Sequence, residues 1–343
     1  MKRMSIVLAL LLAVLAPLPG AAGEERVLYV YTWEDYFAPP EIEAFERANG
    51  CRVEFGFYDS NETMHETLLT GGGYDVVTPA PNIASSLREN GILAPIDHAL
   101  LPNLANIDRD SPCSAEDPEM THTVPYTVTV TGIGYNRLLT PPEAVGGWDI
   151  FDNSRIGKNM AMLNDMRETI GAGLKYLGHS INSTNPDEVR AAGKVVSGWK
   201  RNLVLFDVEQ AKADLDGGML TAIQAYSGDM SGIMRGNPDI EFFIPREGSA
   251  INADVFAILS DTENARLAHS FINHFLDAGV AANNMAHTGY YMPNKAALAK
   301  MDEAARRNIV TEFPAACELI RSMGDARDVY DQVWADILIG DGE

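Results

Sequence analysis

Val27-Leu28-Tyr29-Val30-Tyr31-Thr32-Trp33-Glu34-Asp35-Tyr36 is the stretch on which the reading of this chain turns. Val27 to Tyr31 alternate and are rich in β-branched and aromatic residues, the composition of a strand, and the strand is expected to stop where Glu34-Asp35 arrives between Trp33 and Tyr36. Two carboxylates framed by aromatic faces then stand at a strand's C-terminal end. Open α/β sheets collect ligands outside that end, and the mixture suits a ligand that is cationic at its ends and apolar between, such as an organic amine. The same four residues also read as two core aromatics and a solvated acidic turn.

Upstream, Lys2 and Arg3 precede an apolar run from Ile6 to Leu15 and a small-residue stretch, Gly20-Ala21-Ala22-Gly23, the pattern of a secretory signal peptide over residues 1–23. That run is too short to span a bilayer, and no later one approaches the ~20 apolar residues a transmembrane helix needs, so an exported, periplasmic protein without stable membrane insertion is expected. Losing Lys2 and Arg3 takes the net charge from −22 to −24. Such acidity argues against nucleic acid or an anionic membrane as partner. The roughly 320 remaining residues suffice for two domains, each with its own core. Cys51, Cys113 and Cys317 are compatible with one disulfide and a free thiol or with three thiols.

Downstream of Tyr36 the pattern alternates. A helix is predicted over 39–49, a strand over 51–58, a helix over 59–69 and a strand over 74–78, the rhythm of a parallel β-α-β sheet. Thr123 to Tyr135 is a β-branched run longer than one ordinary strand and hence a candidate crossover between lobes; Ala253 to Leu259 is a second. Between them the helix and strand pattern restarts. The expected architecture is α/β with two lobes, one formed by residues 24–129 plus 254–300 and the other by 130–253 plus 301–343, with a cleft between them.

Catalytic signatures are missing: no Gly-x-Ser-x-Gly elbow, no phosphate loop, no His-Glu-x-x-His and no Cys-x-x-Cys is present. The expectation is a binding protein without cofactor or metal, not an enzyme. Three rivals stay open. Tyr290-Tyr291 could serve ferric iron, a zwitterionic ω-amino acid could replace the amine, and paired carboxylates could serve a secreted hydrolase.

The motifs Tyr31-Thr32-Trp33-Glu34-Asp35-Tyr36, Asp59-Ser60-Asn61-Glu62, Tyr74-Asp75-Val76-Val77-Thr78-Pro79, Val124-Pro125-Tyr126, Ile244-Pro245-Arg246-Glu247-Gly248, Asp254-Val255-Phe256-Ala257 and Asn294-Lys295-Ala296-Ala297 occur in one order. In that order the chain resembles the bacterial periplasmic polyamine-binding proteins, the putrescine and spermidine receptors of ABC importers. The resemblance implies a hinged, type II-like two-lobed solute-binding fold, a monomer, and a partnership with membrane permease subunits. It also implies a pocket of Trp33, Glu34, Asp35, Tyr36, Asn82, Glu168, Tyr226, Asp229, Asn252, Asp254 and Tyr290. Four places depart from the family: Glu34 stands where a small polar residue is usual, Ala80-Pro81-Asn82 where a serine is, Tyr226 where a tryptophan is, and Asn252 where an aromatic is. Asp35 and Asp254 are expected at one end of the ligand, with Glu168 and Asp229 further along and the aromatics sandwiching its methylenes.

Overall fold

A computed structural model describes residues 26–58 and 60–340, apart from the side chain of Glu62; the expected signal peptide and Asp59 lie outside the described residues. The strands are β1 (Arg26–Thr32), β2 (Cys51–Phe57), β3 (Val76–Val77), β4 (Thr123–Asn136), β5 (Met160–Met162), β6 (Leu203–Phe206), β7 (Ala222–Tyr226), β8 (Ile240–Phe243), β9 (Ala250–Ile258) and β10 (Glu318–Leu319). They follow the order β2-β1-β3-β9-β4-β7-β5-β6, with β8 also on β4 and β10 on β9.

β1 runs parallel to both β2 and β3, as the β-α-β rhythm requires. The intervening helix Pro39–Asn49 starts on prolines, whose fixed φ suits a first turn, and stops at Gly50, whose φ of 57° lies in the left-handed region that glycine enters without strain. Its Ile42 and Phe45 are buried under the sheet.

β4 is fourteen residues long and buried throughout. Its first part, Thr123–Val130, pairs antiparallel with β9, and its second part pairs with β7 and β8. One strand thus belongs to two groups of side chains. The first core contains residues up to Val130 together with Ile251–Cys317, and Phe37, Phe45, Phe256, Phe271 and Phe275 fill its centre. The second contains Trp148, Phe151, Trp199 and the C-terminal Tyr330, Val333 and Ile337. Residues 301–317 were expected with the second lobe, but Ile309 and Cys317 pack on the first core because β10 is held parallel to Ala250 and Ile251 of β9. All three cysteines are buried free thiols, and burial pushes Cys113 up to about 12 while its Sγ–H donates to the Thr127 carbonyl at 3.2 Å.

Candidate functional site

Side chains two apart on a strand share a face. Thr127 pairs with Asp254 and Thr129 with Asn252, so the face carrying Thr127, Thr129 and Thr131 on β4 also carries Asp254 and Asn252 on β9. This row of polar side chains runs along the two strands that pass between the cores.

Asp254 is only 9% exposed. The Tyr36 hydroxyl donates to its Oδ2 and lies 3.0 Å from Thr127 Oγ1. Burial pushes Asp254 up to about 7, outweighing hydrogen bonds from Tyr36, Trp33 and Thr127 that favour the charged form. Burial and the neighbouring Asp254 charge likewise hold the Tyr36 hydroxyl well above its ordinary value.

Glu168 comes from the other side, in the first turn of helix Met166–Tyr176, which Asp165 caps by accepting from the Arg167 and Glu168 amides. Its Oε1 accepts from Asn252 Nδ2 at 2.6 Å. Its Oε2 and Thr131 Oγ1 are buried without a hydrogen-bond partner; the hydroxyl approaches closely enough to favour the charged carboxylate without meeting hydrogen-bond geometry. Burial first, then the charge of Asp165, pushes Glu168 up to about 7. A buried acceptor left open costs about 1–3 kcal/mol, so the arrangement lacks a donor.

Asp229 lies in the first turn of helix Ser227–Gly236, near the Ser227–Thr129 hydrogen bond of 2.9 Å. It accepts from the Tyr290 hydroxyl at 3.1 Å, and Lys212 Nζ stands 3.6 Å away. Burial raises its pKa, opposed by the Lys212 charge. The Tyr290 ring meets the Tyr36 ring edge-on at 5.6 Å, and Tyr226 donates to Asp165 Oδ2 at 3.4 Å. Gly228 permits this approach, since a Cβ there would lie 2.7 Å from the Tyr290 ring.

Of the expected residues, Trp33, Tyr36, Glu168, Tyr226, Asp229, Asn252, Asp254 and Tyr290 are linked into this chain of contacts. Glu34 and Asp35 are exposed in the turn after β1, Asp35 with φ 55°, and it is Tyr36 rather than Asp35 that adjoins Asp254. Asn82 is half-buried in the first turn of helix Pro81–Glu89. Thr127, Asp165 and Lys212 are additions from the structure. Asp165 had a legible signal, an acid three residues ahead of Glu168 in the manner of a capping box, whereas Lys212 is seventeen residues from Asp229 on a separate helix.

The tyrosine pair does not converge. Tyr290 faces Asp229, while Tyr291 belongs to the first core and its charged-form neighbours are Asp108 and Cys113. Among the described residues no group of three or more His, Cys, Asp or Glu side chains is placed to hold a metal ion. What the arrangement can do is replace the hydration of a cation: two buried carboxyl groups, Asp254 and Glu168, and the half-buried Asp229 stand among tyrosine rings.

This is the architecture of an extracellular solute-binding protein, and the chain belongs to that bacterial family, whose profile matches residues 42–311. The chain is 30% identical over 329 residues to the putrescine/agmatine-binding protein of Pseudomonas aeruginosa, covering 89% of this chain and 90% of that protein. It is 28% identical over 327 residues to the spermidine/putrescine-binding periplasmic protein of Escherichia coli, covering 93% of each. Among solved structures, the Tp0655 (TpPotD) lipoprotein of Treponema pallidum superposes with a TM-score of 0.81 at 29% identity, over 91% of this chain and 99% of that one. Among the described residues no helix is long and apolar enough to cross a membrane.

Proposed function

We propose that this protein is the periplasmic substrate-binding component of an ABC importer, that it takes up an organic di- or polyamine between its two cores, and that it hands the amine to a membrane permease. The observation that carries this reading is a pair of buried acids beside the strands that pass between the cores: Asp254 on β9, held by Tyr36 and Thr127, and Glu168 on the helix Met166–Tyr176, with one oxygen still open. Two buried carboxyls near 7, neither of them in an ion pair among the described residues, are costly when ionised, and a ligand with an ammonium at each end relieves both. Relatives named for putrescine, agmatine and spermidine support the same ligand class.

The ω-amino acid reading needs a cation free to meet the ligand's carboxylate. Lys212 is near the site, but its Nζ already lies 2.7 Å from Glu209 and 3.6 Å from Asp229. The iron reading loses support because Tyr290 and Tyr291 diverge. Isothermal titration of the mature protein with putrescine, cadaverine, agmatine and spermidine, against γ-aminobutyrate and ferric citrate, tests the proposal. Heat with at least one amine and none with the other two is expected; binding of the amino acid or iron alone overturns it.

A further inference from the structure

We infer that Lys212 determines ligand length: its side-chain ammonium occupies the third anionic station of the site, so that the protein selects short diamines over longer polyamines. The inference rests on the amine reading above.

The site has three anionic stations in sequence. Asp254 and Asn252 are two apart on β9, a separation of about 7 Å along the strand, and Asn252 holds Glu168 by a 2.6 Å hydrogen bond. Asp254 and the Asn252 that holds Glu168 therefore stand at adjacent same-face positions of one strand, and in the amine reading Asp254 and Glu168 take the two ends of a short aliphatic diamine. The third station, Asp229, is reached from Asp254 through the contacting rings of Tyr36 and Tyr290 and the Tyr290 hydroxyl. An amine with a third charge would have to pass those rings to reach it.

Asp229 already has its cation. Lys212 sits on helix Glu209–Asp216, with its side chain 22% exposed, between Asp229 at 3.6 Å and Glu209 at 2.7 Å. The first two stations are in no ion pair among the described residues: Glu168 has the Arg167 charge nearby but its Oε2 has no hydrogen-bond partner, and Asp254 has only hydroxyl and indole donors. An open cavity of about 360 Å³ adjoins the third station, lined in part by Lys212, Gly228, Asp229 and Thr288. Glu209 and Asp216 line the same space, but the position between Asp229 and Glu209 is held by the Lys212 ammonium. A third ligand charge would have to displace Lys212 or lie beside it, and like charges at that distance repel.

The test is isothermal titration of wild type, Lys212→Met and Lys212→Arg with putrescine and with spermidine at neutral pH, each variant first checked for cooperative thermal unfolding. Freeing Asp229 for a charged hydrogen bond should lower the ratio of the spermidine to the putrescine dissociation constant about tenfold or more in Lys212→Met. Lys212→Arg keeps the charge and should keep the wild-type ratio. If Lys212→Met does not fold, Lys212→Gln takes its place with the same expectation. An unchanged ratio in a charge-free variant that binds both amines overturns the role of Lys212 and leaves the amine reading standing. A wild type that binds neither amine overturns both.

Discussion

Replacing Asp254 by asparagine keeps the shape of the side chain at the centre of the site and removes its charge, which should move stability and affinity in opposite directions. The carboxyl is displaced from 3.8 to about 7 by burial. At ~1.4 kcal/mol per pH unit, holding it ionised in the empty site costs about 4 kcal/mol. Because the folded-state pKa is raised, both states are protonated below about pH 4 and the group is neutral to stability there. Between about pH 4 and 7 the unfolded chain ionises first, so stability falls as pH rises, and above about 7 the full penalty applies. Asp254→Asn escapes it. The unliganded variant should therefore exceed wild type by about 2 to 4 kcal/mol near pH 8 and match it near pH 4, measured by denaturant titration. With ligand the order reverses, since an ammonium deprived of its buried partner loses about 2 to 5 kcal/mol of affinity, about thirtyfold or more in the dissociation constant. A variant no more stable than wild type near pH 8, or one that binds amines undiminished, would refute the reasoning.

Three further outcomes follow from the same geometry. Asp254 and Glu168 must both be ionised to hold a dication, so amine affinity should fall as pH drops below about 7, and calorimetry near pH 6 should detect proton release as a heat that varies with the buffer's ionisation enthalpy; a buffer-independent heat counts against it. Gly228→Ala sets a methyl against the Tyr290 ring, an overpacking of about 1–3 kcal/mol that should weaken amine binding while leaving each core folded; wild-type affinity would show that the ring moves freely. Small-angle scattering should give a smaller radius of gyration at saturating amine than without it, since acids from both cores must reach one ligand, and identical curves would favour a rigid pocket.

Much of the fold was legible because its central features are chemically unmixed. The run from Thr123, rich in β-branched residues, reads as a single long strand, and Pro39 with Gly50 frames the first helix on both sides. The helix Ser227–Gly236 escaped because Ser-Gly-Asp reads as a turn, whereas Gly228 is needed there to admit the Tyr290 ring rather than to reverse the chain. β8 is four residues between Pro238 and Pro245, too short for a period to emerge. In the site, residues with a local signature were readable: the aromatics Trp33 and Tyr36, though not the acids Glu34 and Asp35 between them, and Asp254 at the head of the apolar run Val255–Ile258. Lys212 was not, since within its helix it pairs with Glu209 three residues away like any solvated ion pair, and only the packing of that helix against the next brings it to Asp229.

The position of β9 in the sheet has a consequence for how the polypeptide reaches this structure at all. β9 lies between β3 and β4, yet it is formed from residues 250–258, long after either neighbour has been made. A chain emerging from a ribosome therefore has the two edges of its first sheet but not the strand that joins them. The second core waits longer still, since Tyr330, Val333 and Ile337 arrive with the helix Arg327–Ile339. Contacts so distant in sequence form late and slowly. Neither half can finish before most of the chain has been synthesised, and the growing polypeptide keeps its apolar strands uncovered for as long, which makes protection from premature association a requirement of its biogenesis.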